Sequence, residues 1–414
     1  MTHPYALIGK SLRHSYSKPI HALLGNDRYE LLELSPEEVG PFLRNAGFLG
    51  LNVTIPYKET VIPYCTPDEA ARKIGSVNTI VNRNGQLYGY NTDYFGFSLM
   101  AKFAGISFDA KKVIILGSGG TSKTASAVIR DSGAREIVVV SRNGADNYGN
   151  INRHYDAEII VNATPVGMFP HNGDTPLSGD SPLSLDNFSK LSAVIDVIYN
   201  PLRTRLLHDA KEHGLRTANG LSMLIAQALA AHNLFFGIAS TVDDDLAQIH
   251  KILPRAEMFF SNIVLVGMPG CGKTTAGREL ARLYNRDFID TDFLIEKRAG
   301  RKVPDIITDD GEPAFRILER DAIAEAAAQS NRVIATGGGS VLLKENRDAL
   351  LQNGIVIFLD SPPELLATGG RPLSQDLPAL YRQRLPLYES MCHHKIAVDP
   401  DTVVTVHRIQ EALS

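Results

Sequence analysis

Three cysteines, Cys65, Cys271 and Cys392, are all that this 414-residue sequence has, and they lie far apart. A disulfide scaffold is thereby excluded, and a reducing compartment is expected, with the cytoplasm as the default. Excess charge is also scarce: 42 Lys and Arg against 46 Asp and Glu leave a formal net charge of −4. That balance gives no electrostatic basis for binding nucleic acid or an anionic membrane, although a local basic pocket can still hold phosphates. No stretch approaches about 18 uninterrupted apolar residues. The opening MTHPYALIGK has no basic segment leading into an apolar core, so neither export nor membrane insertion is expected. Tandem repeats and low-complexity tracts are absent as well. What remains is ordinary globular material, 44% hydrophobic and 21% charged, long enough for two or three domains with separate cores.

The most specific motif present is GMPGCGKT, Gly267 to Thr274, which fits G-x-x-x-x-G-K-[ST] without a gap. Ile263 to Val266 reads as a buried strand leading in. Thr275 to Tyr284 reads as a helix leading out, with Ala276, Leu280, Ala281 and Leu283 at helical spacing. In such a loop the backbone N–H groups of Gly270, Cys271, Gly272, Lys273, Thr274 and Thr275 turn toward a polyphosphate. Lys273 reaches the β and γ phosphates and Thr274 ligands Mg²⁺. A nucleotide-binding α/β domain therefore starts near residue 260, and the preceding residues need their own explanation.

They begin with alternating strand and helix. Tyr5 to Gly9 is a short apolar strand followed by the polar loop SLRHSYSKP, Ser11 to Pro19. Tyr29 to Leu34 is a second strand, and Ser35 with Glu38 forms a capping box with Pro36 at the first helical position. In GLNVTIPYKE, Gly50 to Glu59, a strand carries Asn52 and Thr54 on one side, stops at Pro56, and leaves Lys58 just beyond. Asn84-Gly85 is the preferred two-residue turn of a hairpin within SVNTIVNRNGQLYGYNTD.

HSYSKPIH, NVTIPYKE, SVNTI and YNTDYFG, in that order, resemble the substrate domain of shikimate dehydrogenase across most of residues 5 to 97. The resemblance implies that Ser15, Ser17, Asn52, Thr54, Asn78 and Asp93 hydrogen-bond the hydroxyls and carboxylate of shikimate, with Lys58 and Asp93 as the proton-transfer pair. That pair makes chemical sense, because reducing a ketone needs a proton donor beside the carbonyl oxygen.

Val113 to Leu116 then forms a strand, GSGGTS follows at Gly117 to Ser122, and a helix runs to about Ser132 with Gly133 as its stop. This is a Rossmann opening with Gly117, Ser118, Gly119 and Gly120 at the cofactor, although Ser122 occupies the third position of G-x-G-x-x-G. The strand Glu136 to Val140 ends at Ser141-Arg142, where an arginine suits the 2′-phosphate of NADP. EIIVNATPVGM, AVIDVIYNP and NGLSMLIAQALAA extend the resemblance. It places Asn162 and Thr164 on the nicotinamide side, Gly220 near the cofactor, and Tyr199 and Gln227 on shikimate. Two departures from the family stand out. The chain from Arg142 to Asn162 is short, so one βα element of the cofactor sheet is expected to be trimmed. The ground where a second cation often lies reads Asn143-Gly144-Ala145-Asp146, which narrows the expected preference for NADP.

Leu246 to Leu253 reads as a closing helix and Pro254 to Ser261 as a short junction. Beyond the P-loop, FIDTDFLIE sets Asp290 and Asp292 alternating out of a strand end. GEPAFRILE, TGGG, GRPL and RQRLPLYE follow, and the series resembles shikimate kinase over nearly the whole domain. The resemblance implies that Asp290 helps hold Mg²⁺ and that Asp292 accepts the proton of the attacking hydroxyl. It also implies that Arg316, positioned by Glu319, and Arg384 bind the shikimate carboxylate, that Gly338 and Gly339 approach the substrate, and that Arg371 is the lid residue. Only 12 residues lie between Arg371 and Arg384, so a short lid with weak adenine discrimination is expected.

The expected architecture is α/β throughout. It comprises a substrate-binding domain over 1–98, a Rossmann NADP-binding domain over 99–255, and a P-loop domain of the nucleoside-monophosphate-kinase type over 260–414. The expected function is bifunctional: NADPH reduction of 3-dehydroshikimate to shikimate, then Mg-ATP phosphorylation of shikimate at its 3-hydroxyl. Only small-molecule partners are expected. One rival is a quinate/shikimate dehydrogenase preferring NAD. The other is a non-catalytic sensor keeping both folds, against which Lys58, Asp93, Lys273 and Asp292 all speak, as does the lack of a basic recognition helix.

Overall fold

A computed structural model describes residues 3–12, 15–177, 184–366 and 376–413. Three sheets account for the strands. The first is mixed and contains β1 (Tyr5–Gly9), β2 (Tyr29–Glu33), β3 (Gly50–Val53), β4 (Thr66–Pro67), β5 (Thr79–Arg83) and β6 (Gln86–Tyr90), in the order β2-β1-β3-β5-β6-β4. β5 and β6 are antiparallel across the Asn84-Gly85 turn, where both residues have positive φ, 54° and 88°. A type I′ turn requires that conformation, and it explains the glycine. The Ser35 capping box forms as expected.

The second sheet is wholly parallel: β7 (Lys112–Leu116), β8 (Glu136–Val140), β9 (Ile159–Asn162), β10 (Ala193–Asp196) and β11 (Arg216–Ala218), ordered β11-β10-β9-β7-β8. Alternate residues of β7 enter two different cores, Val113 and Ile115 on one face and Ile114 and Leu116 on the other. A parallel sheet covered on both sides needs such an uninterrupted apolar strand. Between β8 and β9 there is only the short 3₁₀ turn Ile151–His154, which is the trimmed element.

The third sheet is also parallel: β12 (Asn262–Val266), β13 (Asp287–Asp290), β14 (Arg332–Ala335), β15 (Gly354–Asp360) and β16 (His394–Ala397), ordered β13-β14-β12-β15-β16. Its central strand is buried at every position.

By mutual contact the chain divides into two compact units. One comprises Met1–Val166, Thr175–Tyr199 and Leu206–Ala256, and the other Gly167–Asp174, Asn200–Arg205 and Glu257–Ser414. The first two sheets fall within the first of these units. The closing helix is longer than its sequence pattern implied: Val242–Phe260, with Pro254 inside it. Pro254 to Ser261, expected as a short junction, is helical up to Phe260. Among the described residues no helix is long and apolar enough to cross a membrane.

Candidate active sites

In open parallel sheets, ligands bind beyond the carboxyl ends of the strands, and both sets of motif residues gather there. In the first unit, Gly117 follows β7, Ser141 and Arg142 follow β8, and Asn162 and Asp196 end β9 and β10. Gly117 has φ +100°, and a Cβ there would press on Ala163 O at 3.0 Å. Gly119 and Gly120 open the helix Gly120–Asp131, and a Cβ on either would meet nothing within 4 Å. The helix N-terminus is therefore uncovered, as a pyrophosphate requires. Asn162 is fully buried. Its Oδ1 accepts from Thr164 N at 3.0 Å and Thr164 Oγ1 at 2.7 Å, and its Nδ2 donates to Asp196 Oδ1 at 3.1 Å. Asn162 thus shapes the loop that carries Thr164. Gly220 has a packing reason as well, because a Cβ would lie 2.0 Å from Val197 O. Arg142 is exposed, while Asp146 is engaged by His154 Nε2 at 3.0 Å, a pairing that no sequence motif announced.

The substrate motifs converge across β3, β5 and the two helices Thr92–Phe103 and Gly220–Phe236. These helices approach closely because Gly96 has no side chain; a Cβ there would sit 2.8 Å from Met223 O. Lys58 Nζ donates to Asp93 Oδ2 at 2.6 Å, with the two side chains 28% and 19% exposed. Asp93 stands in the first turn of its helix, where the macrodipole favours a carboxylate. Asn78 Oδ1 accepts from Thr92 N at 2.7 Å. Gln227 Oε1 lies 3.4 Å from Thr92 Oγ1, and its Nε2 donates to Leu224 O at 3.0 Å. Ser15 Oγ accepts from Ser17 N at 3.2 Å, and Thr54 lies just past β3 with its N–H on Ile8 O at 3.0 Å. Tyr16 packs on Tyr199, ring centroids 5.1 Å apart, and burial pushes the Tyr199 phenol upward in pKa. Asn52 behaves differently from its neighbours: both ends of its amide are engaged inside the protein, Oδ1 by Tyr29 Oη at 2.7 Å and Nδ2 on Thr79 Oγ1 at 3.0 Å.

In the second unit a cavity of about 490 Å³ is lined by Lys273, Thr274, Asp290, Asp292, Arg316 and Arg384, among others. The loop conformation requires its glycines, since Gly267, Gly270 and Gly272 have φ of +146°, +86° and +90°. Lys273 is buried, and its Nζ donates to Gly267 O and Met268 O, both at 2.8 Å. Thr274 Oγ1 donates to Asp290 Oδ2 at 2.7 Å. The two aspartates do not alternate along a strand, as their spacing implied. Asp290 ends β13 and caps the helix Thr291–Ala299, its Oδ1 accepting from Asp292 N at 3.1 Å and Phe293 N at 3.3 Å, so Asp292 belongs to the helix. With a short carboxylate capping the helix, the strand ends two residues earlier than alternation through Asp292 would need.

Burial, then the charges of Asp290 and Glu319, push Asp292 up to about 6, against the opposing pull of Lys273. Arg316 Nη1 donates to Glu319 Oε2 at 2.6 Å, and burial raises the pKa of Glu319. Gly338 is held to glycine by its surroundings, since a Cβ would lie 2.5 Å from Pro269 Cδ; one on Gly339 would lie 2.5 Å from Arg316 Nη2 and displace that guanidinium. Tyr388 Oη, not anticipated, holds Gly338 O at 2.5 Å. Asp292 Oδ1, Glu319 Oε1 and Arg384 Nε are buried without a hydrogen-bond partner among the described residues, an arrangement that in native proteins marks strain, a catalytic role, or a bound water, ion or ligand. Arg371 and the GRPL motif lie outside the described residues.

The folds and sites define an α/β enzyme chain with two centres, a doubly wound dinucleotide fold bearing a lysine–carboxylate pair and a P-loop phosphotransferase fold. Family models agree: residues 7–80 match the shikimate dehydrogenase substrate binding domain and residues 269–414 match shikimate kinase. A shikimate dehydrogenase (NADP(+)) of Clostridium beijerinckii is 37% identical over 251 residues, 56% of this chain and 91% of that protein. A chorismate mutase/shikimate 5-dehydrogenase fusion protein from Clostridium acetobutylicum is similar in structure, with TM-score 0.55 and 33% identity over 61% of this chain and 97% of that one. A Thermus thermophilus shikimate 5-dehydrogenase in complex with NADP(H) and shikimate gives TM-score 0.51 and 29% identity over 60% and 98%. The chain belongs to the shikimate dehydrogenase family and carries a C-terminal shikimate kinase domain. It is a bifunctional enzyme of the shikimate pathway.

Proposed function

We propose that the first centre reduces 3-dehydroshikimate to shikimate with NADPH and that the second phosphorylates the 3-hydroxyl of shikimate with Mg-ATP, in the cytoplasm. One half then makes the substrate of the other. The observation that carries the reading is the provision for proton transfer in both centres: Lys58 touching Asp93 in the first, and a buried carboxyl, Asp292, with an orphaned oxygen in the second.

The open N-terminus of the helix Gly120–Asp131 suits the cofactor's pyrophosphate, and Arg142 its 2′-phosphate. NADPH, when bound, supplies hydride. The protein's part is the proton: Lys58 Nζ gives one to the developing alkoxide, and Asp93 keeps the ammonium aimed and charged as it recovers a proton from solvent. Asn78, Gln227, Tyr199, Ser15, Ser17 and Thr54 orient the ring.

In the second centre the backbone amides of residues 270–275 and Lys273 hold the triphosphate. Thr274 and Asp290 present hard oxygens 2.7 Å apart, a donor set that would hold Mg²⁺, whose charge would offset that of the phosphates. Lys273 must leave Gly267 O and Met268 O to reach phosphate. Arg316 and Arg384 fork onto the substrate carboxylate, and Asp292 takes the hydroxyl proton. Two assays on the purified chain test the reading: NADP-dependent oxidation of shikimate and shikimate-dependent ADP release. Both rates are expected; loss of either one in properly folded protein overturns that half.

A further inference from the structure

A polar chain crosses the core of the first unit behind the substrate motifs. The phenol of Tyr29, on β2, is 1% exposed; Asn52 on β3, Thr79 on β5 and Thr92 at the start of the helix Thr92–Phe103 are buried as well. The successive separations are Tyr29 Oη to Asn52 Oδ1 2.7 Å, Asn52 Nδ2 to Thr79 Oγ1 3.0 Å, Thr79 Oγ1 to Thr92 Oγ1 3.1 Å, and Thr92 Oγ1 to Gln227 Oε1 3.4 Å. Asn78 Oδ1 lies 3.2 Å from each threonine hydroxyl.

The direction at the two ends of this chain is decided by groups with no choice. Asn52 Nδ2 also faces the backbone carbonyl of Asn78 at 3.4 Å, which can only accept, so that side of the amide is nitrogen and the phenol must donate to the other. Thr79 Oγ1 accepts from Asn52 and spends its own proton forward, on Thr92 Oγ1 or Asn78 Oδ1. The backbone N–H of Thr92 can only donate, so the atom of Asn78 facing it is oxygen. Nδ2 of Asn78 is left on the opposite side, where no described residue accepts from it. Gln227 is oriented likewise, Nε2 on Leu224 O and Oε1 toward Thr92. With the Thr79 proton on Thr92 Oγ1 and the Thr92 proton on Gln227 Oε1 or Asn78 Oδ1, the hydrogen bonds run one way, from Tyr29 to the two amides. His21 stacks on the phenol at 3.8 Å and 10°; burial, then the charge of His232, push its pKa down to about 3, and it stays a neutral plate.

We propose that Tyr29 is a positioning residue of the dehydrogenase centre, starting a one-way hydrogen-bond chain through Asn52, Thr79 and Thr92 that holds Asn78 and Gln227 with N–H groups offered to the ligand. The proposal rests on the reading of Asn78 and Gln227 as shikimate-binding groups. It assigns them the donor role, toward hydroxyl or carboxylate oxygens, and it assigns Asn52 to the support of the site rather than to contact with substrate.

Tyr29→Phe keeps the ring on His21 and removes only the first donor. The expected result is a KM for shikimate about three- to tenfold higher, with kcat and the KM for NADP within about twofold. A shikimate KM unchanged within twofold overturns the proposal, and so does a parallel loss in all three parameters together with a lowered melting temperature, which would mark a merely structural role. The double variant Tyr29→Phe/Asn52→Leu removes both partners and leaves no buried amide oxygen unpaired. Its shikimate KM is expected to stay high even where its melting temperature returns to that of the unaltered chain; a KM that also returns overturns the proposal. Asn78→Ala and Gln227→Ala separate the two levels. If both raise the shikimate KM and Tyr29→Phe does not, only the positioning role fails; if neither raises it, the substrate reading fails and the positioning role with it.

Discussion

The two centres of this chain hold their charged groups in opposite ways. In the dehydrogenase centre the working pair is already closed, Lys58 on Asp93 at 2.6 Å, and its amides are tied into the protein on one side. In the kinase centre Lys273 rests on the carbonyls of its own loop, and Asp292, Glu319 and Arg384 each keep a buried polar atom unpaired. The difference follows from the chemistry. Proton transfer to a ketone needs a donor whose reserve is in contact before substrate arrives. Phosphoryl transfer needs charge aimed at oxygens that arrive with the ligand, so the same groups are unsatisfied without it.

The sharpest way to break this comparison is to remove one cation from each centre. Lys273→Ala is expected to lower kinase turnover roughly 10²- to 10⁴-fold with dehydrogenase rates within about twofold, and Lys58→Ala to do the converse. A parallel fall in both rates at constant melting temperature would show that the centres do not work independently.

Asp292 tests what an unpaired buried carboxyl costs. Asp292→Asn should lower kinase kcat about 10²-fold or more and leave the melting temperature unchanged or higher. The sign follows from linkage. The folded pKa, about 6, lies above the unfolded value, so the unfolded chain releases this proton first, and the carboxyl withdraws stability as pH rises from about 4 to 6. For the unaltered chain, kcat/KM for shikimate in the kinase reaction is expected to fall on the acid side with an apparent pKa near 6. A flat profile between pH 5 and 7 (a window of about one unit on either side) would remove Asp292 as the base.

A smaller effect is expected at Gly339. An alanine Cβ would meet the Arg316 guanidinium at 2.5 Å, displacing the fork that is to hold carboxylate, and the kinase KM for shikimate should rise roughly tenfold. An unchanged KM would mean that Arg316 serves Glu312 and Glu319 and not the substrate. The smallest change belongs to Arg142→Ala: the NADP-over-NAD ratio of specificity constants should fall about tenfold, since Arg142 is exposed just past β8, where it can meet the 2′-phosphate. A constant ratio would show that Arg142 does not read the 2′-phosphate.

Much of this protein was determined by short-range sequence alone. Gly267, Gly270 and Gly272 need positive φ, Asn84-Gly85 needs a type I′ turn, Ser35 and Glu38 cap their helix, and the apolar runs of β7 and β12 suit strands covered on both faces. Such features are local, and a single stretch carries all the physics that fixes them. The tertiary structure decided what depends on groups remote in sequence. It carried a helix through Pro254 to Phe260, and it made Asp290 a cap so that Asp292 entered the site from a helix. It turned Asp146 away to His154 and set Tyr388 under Gly338. It also tied Tyr29, Asn52, Thr79, Thr92 and Gln227 into one chain across three sheet strands and two helices. In the sequence Asn52 and Gln227 are singled out only by resemblance, and nothing marks Tyr29, Thr79 or Thr92 as their partners. Their direction as donors and acceptors exists only once burial removes water and leaves each group the partners that the fold brings to it.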